Sequence, residues 1–382
     1  EMQKLGLLRR AEEAGPGKLA FQHELLREAA YESILHRQRR SDHLRVGEAL
    51  ESMPGPPVKD IAHRLAHHFL EGGDDERALK YAVLAGENAA RLFVVSEASS
   101  FFARAIEVAR RMPAEKVSEA QLRELYQQRG RALELDGQFD AAMENYRELE
   151  SLARQRSSLS LELAALTSQA IVHVIPSVQF DPWRSQEIAA RIQDLLQQVH
   201  DPALEARALW TLGLLESRIG LNNERALEYG QQAEAIARRH DLKEQLAYTL
   251  HDLSRTYMEV GRIEDAWEAH EESKALWREL GNLPMLADSL GTGAQGLYLM
   301  GRYQPGIELS EEGIRVSRQA ASLWGEAYCL MGLGHIYLET GEIEKSLQAL
   351  DRAQKLGEQA NFLAPVFSAR VLLAWVYAQL GD

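Results

Sequence analysis

Leu333-Gly334-His335-Ile336-Tyr337, followed four residues on by Gly341-Glu342-Ile343-Glu344-Lys345-Ser346-Leu347, is the stretch on which the fold turns. Eighty residues earlier (333 − 253 = 80) the same frame reads Leu253-Ser254-Arg255-Thr256-Tyr257, then Gly261-Arg262-Ile263-Glu264-Asp265-Ala266-Trp267. An apolar helix runs into a glycine, and a second, amphipathic helix with a small residue follows. Such glycines stand at Gly137, Gly220, Gly261, Gly301, Gly341 and Gly381, and the last gaps are 41, 40, 40 and 40 residues (261 − 220, 301 − 261, 341 − 301, 381 − 341). Gly137 to Gly220 spans 83 residues, about two periods, and the missing punctuation falls at Pro176 to Pro182. A glycine here reaches the left-handed conformation that ends a helix. The small residues Ala142, Ala226, Ala266 and Ser346 let paired helices approach closely. No strand-like alternation persists, so the period predicts an all-α array of stacked helix pairs.

Tyr126, Gly130, Gly137, Ala142 and Tyr146 in one repeat, and Leu333, Gly334, Tyr337 and Gly341 in another, resemble the tetratricopeptide repeat. The period exceeds the roughly 34 residues of the standard repeat. Longer helices of this sort are similar to those of the ligand-sensing domain of the maltose-regulon activator and its relatives. The resemblance covers roughly residues 118–382. It implies an all-α fold, a right-handed α-α superhelix of tetratricopeptide-like repeats, with a small winged-helix-like remnant at the N-terminus.

Hydrophobic residues are 45% of the 382, enough to bury a substantial core. The net charge of −14 repels a phosphate backbone, and no long Lys/Arg stripe offsets it, which argues against a nucleic-acid partner. The short cluster from Arg37 to Arg45, with Arg39 and Arg40, reads as a solvated helix face. A lone cysteine, Cys329, precludes an internal disulfide and any cysteine-based zinc site. No apolar run approaches the roughly 18 residues of a membrane helix, and the first 30 residues are charged rather than signal-like. A cytoplasmic protein with no membrane partner is expected.

Residues 1–112 do not keep the period. Gly6-Leu7-Leu8, Ala14-Gly15-Pro16-Gly17 and Leu19-Ala20-Phe21 predict a short hairpin with a glycine-rich turn. The helix after it carries Phe21-Gln22-His23-Glu24-Leu25-Leu26-Arg27-Glu28-Ala29-Ala30-Tyr31. Arg40, His43, Ile61-Ala62-His63, Ala66-His67-His68-Phe69 and Gly72-Gly73-Asp74 follow. This order resembles the segment after the ATPase core in bacterial signal-transduction ATPases with numerous domains, where a winged-helix-like module leads into helical repeats. That family binds ATP through a Walker motif. Gly15-Pro16-Gly17-Lys18-Leu19 lacks both the earlier glycine and the Ser/Thr that holds magnesium, so it reads as a turn. The resemblance implies a fragment whose upstream ATPase is a partner in the full-length protein. Three segments are expected: a winged-helix-like remnant and linking helix (1–52), atypical helical repeats (53–117) and the repeat array (118–382). The C-terminus also looks cut, because residues 366–380 form a first helix without its mate and should leave an apolar face exposed.

Few residues suggest catalysis. His63 and His67 lie one helical turn apart, as metal ligands sometimes do, but no zincin-type Glu or Cys accompanies them, and no metal set is assigned. Asp74-Asp75-Glu76, Glu271-Glu272 and Glu311-Glu312 fall near helix starts or on outer faces. No nucleophile elbow or kinase motif occurs. Neither an enzyme nor a cofactor is expected.

The first helices of a solenoid's pairs line its concave face. Positions two, five, nine and twelve of each first helix give a groove of Arg207, Trp210, Tyr248, His251, Arg255, Gln295, Tyr298, Tyr328, His335 and Trp375. Leu214, Ser217, Met258, Asp288, Gly291, Met331 and Leu338 fill the other positions. Aromatic faces stack on a ligand while Arg and Gln direct hydrogen bonds; packing between repeats is the plainer use of the same residues. The sequence thus predicts a sensor or regulatory solenoid of a larger signalling ATPase or transcriptional regulator, taking an unknown protein or small-molecule effector in its groove. The alternative is an interaction scaffold with no switching role.

Overall fold

The computed structural model describes residues 8–10, 19–55 and 57–380. The chain forms two compact units, residues 1–85 with 107–112, and residues 86–106 with 113–382.

In the first unit, strands β1 (Leu8–Arg10) and β2 (Leu19–Phe21) pair antiparallel with Leu8 opposite Phe21. This is the expected hairpin; its glycine-rich turn lies outside the described residues. Helices α1 (Glu24–Ser33), α2 (His36–Ser52) and α3 (Val58–Gly72) follow, then α4 (Asp75–Arg91) and α5 (Val95–Arg111), each divided between the two units. Phe69 is fully buried, stacked on Tyr81 with centroids 5.6 Å apart and capped by the Arg77 guanidinium 4.2 Å above its ring. Asp74, from the first acidic run, caps α4 by accepting from the Arg77 backbone N–H at 3.0 Å. Arg37, Arg40 and Arg45 of the basic cluster are exposed on α2, the solvated face expected, and two of its arginines also reach back to the chain. Arg39 pairs with Glu32 at 3.4 Å and lies over Tyr31, while Arg40 donates to the Gly72 carbonyl at 3.4 Å.

The second unit is a stack of helix pairs. They are α6 (Glu119–Leu135) with α7 (Phe139–Arg156), α8 (Leu159–Val174) with α9 (Pro182–Leu196), and α10 (Pro202–Leu215) with α11 (Asn223–Arg239). Then come α12 (Lys243–Glu259) with α13 (Ile263–Leu280), α14 (Leu283–Leu299) with α15 (Tyr303–Gln319), and α16 (Leu323–Glu339) with α17 (Ile343–Gln359), before a last helix α18 (Leu363–Leu380). Each first helix packs on its own mate and on the next first helix. The proline-punctuated loop 175–181 joins the two helices of the divergent pair, and Asp181 caps α9 with Pro182 in its first turn. Ala142, Ala266 and Ser346 are all but fully buried where pairs cross. Ser346 Oγ also donates to the Gly334 carbonyl at 2.8 Å.

Turns at Gly137, Gly261, Gly301 and Gly341 are left-handed, with φ between 69° and 78°. At Gly261 the glycine N–H reaches Met258 O (3.0 Å) and the Arg262 N–H reaches Tyr257 O (2.8 Å), satisfying carbonyls that the helix end leaves open. Gly220 departs from the expectation. There the helix ends in a π-turn, Glu216–Gly220, and the left-handed residue is Leu221 with φ 50°. Gly381 lies outside the described residues. A second series of left-handed residues closes the second helices at Ser157, Asp241, Gly281, Ala321 and Asn361, the last four 40 residues apart (281 − 241, 321 − 281, 361 − 321). Glycine fills only one of these, although Asp241 and Asn361 are residue types that tolerate the left-handed region.

The stack curves until its end meets its beginning. The Leu363 N–H donates to Pro176 O at 2.9 Å, and Asn361 Nδ2 donates to Gly137 O at 3.2 Å. A Cβ on Gly137 would stand 2.6 Å from Ala360 O. On α18, Phe367, Val371, Trp375 and Tyr377 are largely exposed, the apolar face expected there.

Gly137 and Gly261 share a left-handed turn, but nothing lies within 4 Å of a Cβ at Gly261. Gly261→Ala should therefore cost about 1–2 kcal/mol from backbone conformation alone. Gly137→Ala should cost clearly more, because it also pushes the seam apart. Equal losses on chemical denaturation would mean that the seam contributes no stability.

Candidate functional site

A cavity of about 280 Å3 opens inside the curve of the second unit. Its lining drifts along the helices. From α6, α8 and α10 it takes the C-terminal ends: Arg131 and Glu134, Ile171 with Val174 to Pro176, then Trp210 and Leu214, with Arg218 just beyond. From α12 it takes the middle, Tyr248, His251, Asp252 and Arg255. From α14 and α16 it takes the N-terminal halves, Met285, Asp288 and Thr292, then Trp324 and Tyr328. Phe362 and Ala364 close the ring from across the seam, opposite Phe139 and Pro176. The first helices thus cross the cavity obliquely.

One wall is aromatic. Tyr248 sits edge-on to buried Trp277 at 4.8 Å and against Trp210 at 5.3 Å, with the Arg131 guanidinium 4.7 Å over its ring. Arg131 also contacts the Tyr248 hydroxyl and pairs with Glu244 at 2.6 Å. Burial pushes the Tyr248 and Tyr328 phenols up to about 12, so both are neutral donors. Burial likewise raises Glu134, which accepts from the Tyr146 hydroxyl at 2.6 Å.

Asp252, one helical turn on from Tyr248, organises the polar part of the same wall. It accepts from Trp210 Nε1 at 2.8 Å, while Arg255 and Arg218 approach its other oxygen only to 3.6 and 3.9 Å. Both distances exceed a hydrogen bond, so the two guanidinium forks keep donor capacity toward the cavity. His251 is buried, with Nε2 3.2 Å from Asp288 and no hydrogen-bond partner at Nδ1.

Five of the groove residues read from the sequence, Trp210, Tyr248, His251, Arg255 and Tyr328, meet in this cavity, with Leu214 and Asp288 of the wider row. Arg207 lines an adjoining hollow with Arg123 and Arg131, its guanidinium carbon 6.0 Å from the Trp210 ring. Gln295 lies behind the lining and accepts from the Tyr328 hydroxyl at 3.1 Å. Tyr298 and His335 pair with each other at 5.6 Å, outside the lining, and Trp375 is exposed on α18. The oblique crossing explains the split, since the far positions of α14 and α16 have passed beyond the cavity. Arg131, Glu134, Arg218, Asp252, Trp324 and Phe362 went unread. Extending the same register to α6 reaches Arg131 and Glu134, whereas Trp324 and Phe362 enter from helix starts and a turn. Cys329 is buried and its thiol pushed well up by that burial, an inert packing residue.

The tetratricopeptide repeat family profile matches residues 124–156 and 327–358, within α6–α7 and α16–α17. The chain carries tetratricopeptide repeats. No curated protein matches it in sequence. Among solved structures it is similar to a Rap protein complexed with competence and sporulation factor, at 16% identity and a TM-score of 0.60 over 80% of this chain and 83% of that one. It is similar also to the Rap conjugation gene regulator of the plasmid pLS20 in complex with the Phr* peptide, at 16% identity and a TM-score of 0.58 over 88% and 95%. A signal-transduction ATPase with a tetratricopeptide repeat sensor from Pyrococcus horikoshii aligns with 95% of this chain and 58% of its own, at 15% identity and a TM-score of 0.45, too loosely to carry an argument. At such identities the likeness is one of fold. Among the described residues, no helix is long and apolar enough to cross a membrane.

The His251–Asp288 pair makes a test of the wall's electrostatics. Burial, the largest single effect, lowers the histidine's pKa, but the charge and hydrogen bond of Asp288, with the charge of Asp252, together outweigh it and the net shift is upward. The pair therefore stabilises the fold fully below about pH 6.5 and loses that contribution as pH rises through the raised value. His270, lowered to about 4 by burial, acts with the opposite sign and costs stability on acidification. Asp288→Asn should be destabilised relative to the parent at about pH 6 and much less so at about pH 8. A difference in melting temperature that ignores pH would refute the pairing.

Proposed function

We propose that the second unit is the ligand-binding part of a regulatory protein, and that its cavity takes a short peptide with a free C-terminal carboxylate. The observation that carries this reading is the Arg218–Arg255 pair. Both arginines lean on one carboxylate, Asp252, at more than hydrogen-bond distance, beside a wall of Trp210, Tyr248 and Tyr328. An incoming carboxylate would complete the forks. The acids Glu134 and Asp288 would face the peptide's N–H groups, and the rings would cover its side chains. That two proteins of like fold were crystallised with a peptide or a named factor fits the reading without assigning this ligand.

The cavity sits on the seam, with Pro176 and Phe139 on one side and Phe362 on the other. A ligand touching both sides favours one curvature of the stack, and only such unequal binding gives a sensor its output. On this reading the output is an ATPase or transcription-regulating domain of a longer protein, whose winged-helix-like end would be the N-terminal hairpin.

Short peptides of mixed sequence, each with a free and an amidated C-terminus, supply the test. Free-acid peptides should raise the melting temperature of the intact chain, and their amidated twins should not. Arg218→Ala with Arg255→Ala should weaken binding roughly ten- to a hundred-fold, the value of charge-assisted hydrogen bonds of about 1.5–3 kcal/mol. The unliganded melting temperature should barely move. Equal binding of amidated peptides, or binding that survives the double variant, would sink the proposal.

A further inference from the structure

The first unit holds a cluster that the cavity does not use. Three imidazoles converge between α2 and α3: His43 from the one, His67 and His68 from the other. Their centroids are 5.4 Å (His43–His67), 5.1 Å (His43–His68) and 5.3 Å (His67–His68) apart. One ring nitrogen from each lies within 4.8 Å of the others. The helix pair thus assembles a set different from the His63/His67 spacing visible in the sequence, because the third ring comes from another helix.

The orientation of the rings is specific. Nδ1 of His43 and Nδ1 of His68 stand 3.0 Å apart, so a single proton at most lies between two lone-pair sites. The other nitrogen of His43, Nε2, is 2.9 Å from the Tyr31 hydroxyl on α1. That bond occupies Nε2 and turns Nδ1 inward, the outer-shell arrangement that holds a ligating histidine in place. Packing does not require this convergence. His67 is exposed and the other two rings are only half-buried, so together they cover little apolar surface. Asp42 and Glu71 act on His43 with negative charge, against Arg39. Arg64 acts on His68.

We infer that His43, His67 and His68 bind a divalent transition ion of borderline softness, Zn2+ foremost, through one nitrogen each, with the remaining position open to water. Zinc–imidazole bonds of about 2.0–2.1 Å put tetrahedral ligand atoms roughly 3.3 Å apart. The His43–His68 pair already stands near that separation, and His67, on the exposed side, closes the rest by turning about its side-chain bonds. The ion would tie α2 to α3 and, through Tyr31, to α1.

The intact chain, stripped with a chelator and titrated with Zn2+ against a chromophoric competitor, provides the test. One equivalent should bind and raise the melting temperature. His43→Ala and His68→Ala should each weaken binding at least roughly ten-fold, and Tyr31→Phe by about ten-fold through the ring it orients. His63→Ala, which removes an exposed histidine of α3 outside the set, should leave the affinity unchanged. Circular dichroism keeps the comparison to folded variants, and Tyr31→Phe, which retains its ring, stands in should a histidine variant unfold. Failure to bind Zn2+ in the micromolar range would overturn the proposal. So would binding undiminished in the His43→Ala, His68→Ala double variant, or loss on His63→Ala equal to that on His68→Ala.

Discussion

The second unit depends on how closely the two helices of a pair can pass. At Gly130 a Cβ would stand 2.2 Å from the Tyr146 ring, so the Tyr146 side chain lies against bare backbone. Equivalent positions are Gly213, Ser254, Ala294 and Gly334, and across from them stand Ala142, Ala226, Ala266, Gly306 and Ser346. Small residues on both sides set a short interaxial distance and one crossing geometry. Because that crossing recurs at a near-constant step, each pair is displaced from the last in nearly the same way, and the stack must curve. The cavity is the inside of that curve.

A constant displacement also decides which residues meet. Each first helix is shifted relative to its neighbour, so the lining moves from helix tails at Arg131 and Glu134 to helix heads at Trp324 and Tyr328. Charges that a linear reading keeps in separate repeats thereby come together. Asp252 of α12 holds Trp210 of α10, and His251 of α12 holds Asp288 of α14. Each polar contact joins two repeats, so the wall is rigid only while the stack keeps its pitch.

The sequence carried the pair geometry because its requirements are absolute at single positions. Only a very small residue fits beside Tyr146, and glycine best tolerates φ near 70° in a turn. The left-handed turns at Ser157 and Ala321 were illegible for the converse reason, since surrounding hydrogen bonds impose the conformation on ordinary residues. A repeat register found Trp210, Tyr248, His251, Arg255 and Tyr328, where the cavity coincides with the middle of the row. It overshot at Tyr298 and His335, because a register carries no information about tilt. Residues brought in by another helix or turn, such as Phe362 at the seam or His43 beside His68, depend on contacts between distant segments, which no local pattern encodes.

The seam is where these arguments meet. Among the described residues its hydrogen bonds run from Leu363 to Pro176 and from Asn361 to Gly137, beside the close approach of Gly137 to Ala360. Hydrogen bonds of this kind contribute about 0.5–1.5 kcal/mol each. Contacts from a charged ligand to Arg218 and Arg255 are of the same order, and the cavity reaches both sides of the seam. On the proposed function, a ligand that fits only one curvature would add free energy of the order of the seam's hydrogen bonds and so bias the stack toward that curvature. Of the contacts that hold the curve, those at the seam are the ones the cavity reaches from both sides.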